Sequence, residues 1–331
     1  MYKKWWWFLV LIVGIWVGQP QHLAAAGADF TIKSQIPENQ IDKKASYYDL
    51  LVKPGTTQKL SVVVENAGNK TRKFRVAPNT AFTNDNGVIE YSRENYIPDR
   101  SAKTTLSKLM SKAQTVSVAA GESKTVTFTL TVPKSGIDGS VLGGFYVTPE
   151  EEESTAKSGM SIQNQFAMVI GIQLRENTTT QSPELKLGTV EAALHNSQTA
   201  IKANVRNVVP VHFGQMTITA KVTKSGSSDV LYQSTRKNLE MAPNSNFDYS
   251  ILMKDKAYQA GDYTLNLVAK SGKKTWTLTK GFTIKAETAR ELNKKAGIET
   301  TDYTWLYIGG AVVLLAVIAG LAFYLGRRKR R

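Results

Sequence analysis

Residues 125–132 read Thr-Val-Thr-Phe-Thr-Leu-Thr-Val, so polar and apolar side chains alternate throughout this stretch. Successive side chains of a β-strand point to opposite faces, which places the four threonines on one face and the four apolar residues on the other. A strand of this kind covers a hydrophobic core with one face and meets water with the other. The stretch therefore predicts a layered β-sheet architecture.

Short segments of the same character lie on both sides of this strand. Turn signals such as Pro54-Gly55 and Ser271-Gly272-Lys273 separate them. Apart from one short connecting helix within 101–113, the strands follow one another without helices between them. The expected fold class is all-β, with two tandem immunoglobulin-like antiparallel β-sandwiches. The predicted strands are 29–33, 46–52, 60–65, 74–77, 143–147 and 162–174, followed by 201–206, 216–223, 263–270 and 276–278.

The length of the chain and one polar segment divide it into two sandwich domains. A chain of 331 residues rarely folds around a single hydrophobic core, so two domains of ordinary size are expected. Residues 177–184 have the composition of a linker, with consecutive threonines followed by Ser-Pro. The linker separates a first sandwich at 27–176 from a second at 185–285. The charged segment 286–303 is predicted to be a partly helical stalk with i,i+4 ion pairs.

The N-terminus has the features of a secretory signal peptide. Lys3 and Lys4 precede an apolar run at 5–17, which is too short to span a bilayer, and Ala24-Ala25-Ala26 provides small residues for cleavage. We expect residues 1–26 to be removed by cleavage after Ala26. If this run were retained, the chain would cross the membrane twice.

The C-terminus has the features of a membrane anchor. Residues 304–325 carry no charge, and as a helix they would span about 33 Å, enough for a hydrocarbon core of about 30 Å. The tail 326–331 is basic, and cations that follow an apolar span mark the cytoplasmic side. We therefore expect a single-pass type I protein of the cell membrane, with its ectodomain outside at the cell wall. The stop signal consists of Arg327, Arg328, Lys329, Arg330 and Arg331.

Cysteine and charge content narrow the class of protein further. The chain contains no cysteine, as expected of an exported bacterial protein that does not depend on disulfides. Its net charge is +15, and the part predicted to lie outside carries 35 cations against 27 carboxylates, a net charge of +8. This excess either attracts anionic wall polymers or only keeps the surface soluble. The cations are scattered, and no nucleic-acid partner is predicted.

No arrangement of residues in the sequence indicates catalysis. His195 and His212 lack the spacing of a metal site, and no nucleophile elbow or phosphate-binding loop is present. We therefore predict no enzyme activity, no cofactor and no metal. Tyr47, Tyr48, Tyr91 and Tyr96 could stack on sugar rings, although tyrosines in strands more often pack against a core. Gly143-Gly144 is typical of a bulge or a close backbone contact.

The chain carries a set of motifs in a fixed order. They are the 30–40 segment ending in Pro37-Glu38-Asn39-Gln40, the Tyr47-to-Gly55 segment, Val62-Val63-Val64-Glu65-Asn66, the 121–133 segment and Gly143-Gly144-Phe145-Tyr146. Taken in this order, the motifs resemble the WxL-interacting protein family of Gram-positive cell surfaces. This resemblance implies an N-terminal peptidoglycan-binding domain, a second domain that binds host extracellular proteins or WxL-domain surface proteins, and a membrane anchor. The candidate binding residues within the motifs are Tyr47, Tyr48, Asp49, Gly143, Gly144, Phe145 and Tyr146.

These features predict a non-catalytic, membrane-anchored surface adhesin or scaffold. An assembly factor or pilus-like subunit is a second hypothesis, because the tail has the shape of a sorting signal. However, no Leu-Pro-x-Thr-Gly motif precedes that tail. A cell-wall-modifying enzyme is the third hypothesis.

Overall fold

β-Strands dominate the structure, a computed structural model that describes residues 28–150, 166–298 and 309–320. In the first domain, β1, β3 and β8 form one sheet, and β2, β10, β9, β4 and β7 form the facing sheet in that order. The elements of this domain are β1 (Phe30–Gln35), β2 (Tyr48–Leu51), β3 (Thr57–Asn66), β4 (Arg72–Thr80), β5 (Phe82–Thr83), β6 (Ile89–Glu90), α1 (Leu106–Leu109), β7 (Gln114–Val118), β8 (Ser123–Thr131), β9 (Ser140–Glu150) and β10 (Met168–Arg175).

The alternating stretch at 125–132 occupies β8 and the residue after it, and its predicted faces are confirmed. All four apolar residues are buried in the core between the two sheets, whereas the threonines are exposed or half-buried. Aromatic rings cross the same core, with Phe128 4.8 Å from Phe145 and Phe30 5.2 Å from Phe74 between ring centroids. Burial of the apolar face of β8 therefore holds the two layers together.

One pairing in the first domain departs from the predicted antiparallel arrangement. β2 runs parallel to β10, with Tyr48 opposite Ile172 and Leu51 opposite Arg175. Parallel neighbours need a long connection, and here more than 100 residues separate the two strands in sequence. The outer side of β2 is closed by the segment 39–41, which bonds to the backbone of Asp49 and Leu51. β2 is thus a short inserted strand and not half of a hairpin.

The second domain contains seven strands in two sheets. β11, β12 and β15 form one sheet, and β14, β13, β16 and β17 form the other. The predicted turn at Ser271-Gly272-Lys273 is confirmed, because β16 and β17 pair from Ser271 and Lys274 outward. The elements are β11 (Leu185–His195), β12 (Gln198–Asn207), β13 (Phe213–Lys224), β14 (Val230–Met241), β15 (Asn246–Leu252), β16 (Gly261–Ser271), β17 (Lys274–Ile284) and α2 (Ala286–Lys295).

α2 begins the charged segment predicted as a stalk, but it packs against the second domain. Ala289 and Asn293 are buried, and the Asn293 side chain accepts from Tyr258 N–H at 2.7 Å and donates to Tyr258 O at 3.0 Å. The predicted i,i+4 pairing is present on the outer face, where Glu291 and Lys295 lie 2.6 Å apart. The first ten residues of this segment therefore extend the fold of the second domain.

Both ends of the chain lie mostly outside the described residues. The predicted signal peptide 1–26 with Ala26, and the tail 326–331 with its five cations, are not described. Of the predicted span 304–325, the structure describes 309–320, which is helical. Within the described ranges, no helix is both long enough and apolar enough to cross a membrane.

The two sandwiches meet at a polar junction built around a buried ion pair. The Arg206 side chain donates from Nε and from one terminal nitrogen to the two Asp99 carboxylate oxygens, at 2.6 and 2.8 Å. Asp99 is 3% exposed and Arg206 9%. Burial alone would raise the pKa of Asp99, but hydrogen bonds from Arg206 and Ser101 outweigh it and lower this pKa to about 2. The carboxylate is therefore ionised at neutral pH.

Neighbouring contacts extend this junction along the β5–β6 region. Thr83 Oγ1 lies 2.7 Å from Ser245 Oγ and accepts a bond from Ala242 N–H at 2.9 Å. These two bonds hold the loop between β14 and β15 against β5. A further bond, from Ser140 N–H to Pro210 O at 2.8 Å, places the loop between β12 and β13 against the edge of the first domain, where β2 and β10 end.

Candidate functional site in a polar cleft between the domains

Tyr48, one of the four tyrosines considered for stacking on sugars, belongs to the core. Tyr48 is fully buried, and its ring lies 5.9 Å from that of Phe145 in an edge-on arrangement. Its hydroxyl donates to Ser61 O at 2.5 Å and accepts from Gln35 N–H at 3.1 Å. The Tyr48 hydroxyl thus donates and accepts hydrogen bonds within the protein, and the residue has a structural role.

The Gly-Gly-Phe-Tyr motif also serves packing. A Cβ on Gly143 would lie 2.3 Å from Asn79 O, and one on Gly144 would lie 2.9 Å from Ile170 O, so neither position has room for a side chain. Phe145 is fully buried, and Tyr146 is half-buried opposite Val169 in β10. The prediction of close backbone packing at the two glycines is confirmed. None of the four residues lines the polar cleft described below.

Tyr47 and Asp49 lie on the opposite face of the same segment and line a polar cleft of about 300 Å³. Because side chains alternate along a strand, the two residues that flank Tyr48 point away from the core. Tyr47 is 44% exposed at the rim, whereas Asp49 is buried. The cleft is lined by Tyr47, Asp49, Gly139, Ser140, Gln173 and Arg175 of the first domain, residues 179–181 of the linker, and Pro210, Val211 and His212 of the second domain.

An ion pair between a half-buried arginine and a buried aspartate fixes one wall of the cleft. One terminal nitrogen of Arg175 lies 2.7 Å from both carboxylate oxygens of Asp49. β2 and β10 position this pair, since Asp49 lies opposite Gln173 and Arg175 lies two residues further along the same strand. The two charges balance each other, so this wall favours a neutral polar ligand over an ion.

Two hydrogen-bonding atoms on the same wall lack partners among the described residues. They are Arg175 Nε and Ser140 Oγ, and their residues lie directly opposite each other in the β9–β10 ladder. A buried polar atom without a partner costs about 1–3 kcal/mol. A ligand that offers an oxygen acceptor to both groups would regain that energy.

His212 completes the cleft from the second domain. Burial lowers the pKa of His212, and the positive charge of Arg175 lowers it further, although Asp49 and Glu240 act in the opposite direction. The imidazole is therefore neutral at pH 7 and can both donate and accept a hydrogen bond. In the described part of the chain, no group of three or more His, Cys, Asp or Glu side chains is arranged to hold a metal ion.

Sequence reasoning identified Tyr47 and Asp49 but missed Ser140, Arg175 and His212. These three residues reach the cleft through contacts between segments that are distant in sequence, such as the Asp49–Arg175 pair across 126 positions. The period-two pattern around Tyr48 was the available signal, because it separates Tyr47 and Asp49 from the buried tyrosine. No local pattern marks Arg175 as their neighbour.

Several of the solved structures similar to this chain are proteins of fimbrial systems, and they share little sequence with it. A chain from a chaperone–tip adhesin complex of CFA/I fimbriae is 12% identical, covering 78% of this chain and 99% of that one, with a TM-score of 0.29. The class 5 fimbriae chaperone CfaA is 12% identical, covering 77% and 98%, with a TM-score of 0.27. The E. coli chaperone DraB is 10% identical, covering 77% and 95%, with a TM-score of 0.29. No curated protein matches the chain in sequence.

Two family models match consecutive parts of the sequence. Residues 30–149 match the peptidoglycan binding domain of WxL Interacting Protein, and residues 157–294 match its host binding domain. The second match begins before β10, although β10 pairs with β9 and β2 in the first domain. Together the matches cover most of the chain, in the order that the motifs predicted. The chain belongs to the WxL-interacting protein family.

Proposed function

We propose that this chain is a non-catalytic surface binding protein that holds peptidoglycan through its first domain and a protein partner through its second. The partner is either a host extracellular protein or a WxL-domain surface protein. The two domains named by the family models support this proposal. The observation that carries the wall-binding half is the polar cleft, which contains two hydrogen-bonding atoms without a partner among the described residues, beside an exposed tyrosine ring.

The chemistry of the cleft suits the neutral amide and hydroxyl groups of peptidoglycan. Arg175 Nε can only donate and the Ser140 hydroxyl can donate or accept, so an amide carbonyl satisfies both. The Tyr47 ring at the rim offers an apolar surface on which the face of a sugar can rest. A volume of about 300 Å³ lies at the lower end of the range for small-molecule sites, which fits one sugar or a short peptide unit.

The double substitution Tyr47→Ala and Ser140→Ala is expected to weaken binding to peptidoglycan about tenfold or more, because it removes a ring contact and a hydrogen bond of about 1 kcal/mol each. Co-sedimentation of residues 28–298 with purified sacculi measures this loss. Both substitutions leave the Asp49–Arg175 pair intact, so the variant is expected to fold.

The matched control is Arg75→Gln. Arg75 forms a two-bonded ion pair with Glu94, at 2.5 and 2.9 Å, on the surface of the first domain outside the cleft. This variant is expected to bind sacculi as the unaltered protein does. Equal binding by the cleft variant and the unaltered protein would exclude the cleft as the site.

We further propose that the protein is a single-pass type I membrane protein whose ectodomain lies at the cell wall. The apolar runs at 5–17 and 304–325 and the five terminal cations support this topology. Mass spectrometry is expected to find a mature N-terminus at Gly27, and a chain truncated after residue 303 is expected to leave the membrane fraction for the medium. Retention of the truncated chain in membranes would contradict the proposed anchor.

A further inference from the structure

β14 is a 12-residue strand at the edge of the larger sheet in the second domain. Among the described residues it pairs on one side only, with β13. The other side of an edge strand presents backbone N–H and C=O groups in a row, and such a row can pair with another extended chain. What covers this side therefore decides whether β14 can bind a partner.

The first domain covers the C-terminal part of this edge through its β5–β6 turn. Glu240 N–H donates to Gly87 O at 2.7 Å, and the Arg236 guanidinium donates to Asp85 O and Asn86 O at 3.0 and 2.6 Å. Backbone groups of the first domain thus already dock against residues 236–240. This end of the edge is part of the domain junction.

The N-terminal part of the edge, residues 230–235, continues directly from this junction without a cover. Apart from the ladder with β13, no backbone hydrogen bond from the described residues reaches 230–235. Val230 is 47% exposed and Leu231 is 37% exposed, so two large apolar side chains stand beside the open backbone. In most proteins, an edge strand is protected at exposed positions by charged side chains or by a segment of the chain that covers it.

Two edge strands of the first domain, unlike residues 230–235 of β14, are covered by other segments of the chain. The outer side of β2 is closed by residues 39–41, and β8 is closed in part by Ser111, whose N–H donates to Thr129 O at 2.9 Å. In both cases a segment of the same chain satisfies the edge. At residues 230–235, the described residues supply no such segment.

We propose that residues 230–235 of β14 bind an extended segment of the protein partner, which adds to the sheet as a further strand. Backbone hydrogen bonds supply the pairing, and apolar side chains of the segment rest beside Val230 and Leu231. The match of residues 157–294 to a host binding domain favours a protein partner as the occupant. A second copy of this chain is a separate outcome, which the test below distinguishes. This inference rests on the proposed function only in that the second domain holds a protein partner.

A synthetic peptide with the sequence of residues 217–223, flanked by two glutamates at each end, tests the edge. This sequence already forms the inner ladder with β14, so its backbone and side chains are compatible with the strand. At millimolar peptide, amide hydrogen exchange of the full chain is expected to slow about tenfold across 230–235 and to stay unchanged across 246–252.

Leu231→Lys is the edge variant and Leu252→Lys is its matched control on β15, where the leucine is 41% exposed. The lysine at 231 is expected to abolish the protection by the peptide, and the lysine at 252 is expected to preserve it. Circular dichroism checks that both variants are folded. No protection in the unaltered chain, or equal protection in the Leu231→Lys variant, would overturn the proposal. So would protection that depends on protein concentration without peptide, since this indicates a second copy.

The same variants separate this proposal from the proposed function. If a host or WxL-domain protein binds the Leu231→Lys variant as well as the unaltered chain, the proposal that residues 230–235 bind the partner is wrong, and the proposed function is unaffected. Peptide protection at 230–235 without any protein bound by the second domain supports the edge and contradicts the proposed function.

Discussion

Arg206→Met is expected to lower the free energy of unfolding by about 3–5 kcal/mol, because it leaves the Asp99 carboxylate buried without its partner. Asp99 is 3% exposed and accepts two bonds from Arg206, so the isolated charge cannot reach water without opening the junction. Urea unfolding of residues 28–298, followed by the fluorescence of Trp276, measures the loss.

Lys33→Met is the matched control. Lys33 and Glu65 lie 3.4 Å apart on the surface, with side chains 72% and 43% exposed, and a pair of this kind contributes about 0–1 kcal/mol. The double variant Asp99→Leu/Arg206→Met is expected to regain much of the loss, since no buried charge remains. A loss below about 1 kcal/mol for Arg206→Met alone would show that the ion pair does not hold the junction.

The same pair gives the junction a pH dependence. The folded pKa of Asp99, about 2, lies below its ordinary value of 3.8. The ionised carboxylate therefore stabilises the fold fully above pH 4, and this stabilisation is lost as the pH falls from about 4 to about 2. In the urea experiment, the difference between the unaltered protein and Asp99→Asn is expected to shrink across this window.

Gly143→Ala is expected to lower the free energy of unfolding by about 3 kcal/mol, at the upper end of the range for overpacked positions. The added methyl group would lie 2.3 Å from Asn79 O and 2.3 Å from Leu106 Cδ2. Asn79 O belongs to the backbone of β4, the direct neighbour of β9, so the sheet itself would have to move. Urea unfolding followed by circular dichroism, which reports both domains, measures this effect.

Gly171→Ala is the control within the same sheet. A methyl group there would meet only Tyr47 Cβ at 3.7 Å, an ordinary contact, so little change is expected. A Gly143→Ala variant as stable as Gly171→Ala would contradict the packing role of Gly143. A stable Gly143→Ala variant that no longer binds sacculi would instead return Gly143 to the binding site.

The sequence predicted β8 and the turn between β16 and β17 because their signals are local, but it did not single out β7, β11 or β14 as strands. The alternation around Phe128 and the turn at Gly272 depend only on neighbouring residues, and the structure contains both. The parallel pairing of β2 with β10 depends on how distant strands meet, which no local pattern encodes. Arg175 and His212 were missed because their positions in the cleft also depend on contacts between distant segments. These contacts follow from the topology of the first domain and from the domain junction.

The candidate residues divide in the same way. Tyr47, Tyr48 and Asp49 were predicted together as a motif, but strand geometry sends Tyr48 to the core and its two neighbours to the cleft. The motif thus combines a packing residue with two residues of the candidate site. Burial, which only the folded chain reveals, distinguishes them.

The docked turn between β5 and β6 also determines how the protein would carry mechanical load. A pull between a wall-bound first domain and a partner-bound second domain would pass across the Asp99–Arg206 pair and the neighbouring backbone bonds. The linker 177–184, which is bonded to Asp138 of the first domain through Gln181 and to Lys274 of the second domain through Pro183, would carry the load once the junction bonds part. The junction would then be the first part of the molecule to open under load. The linker would keep the two domains connected after the junction has opened.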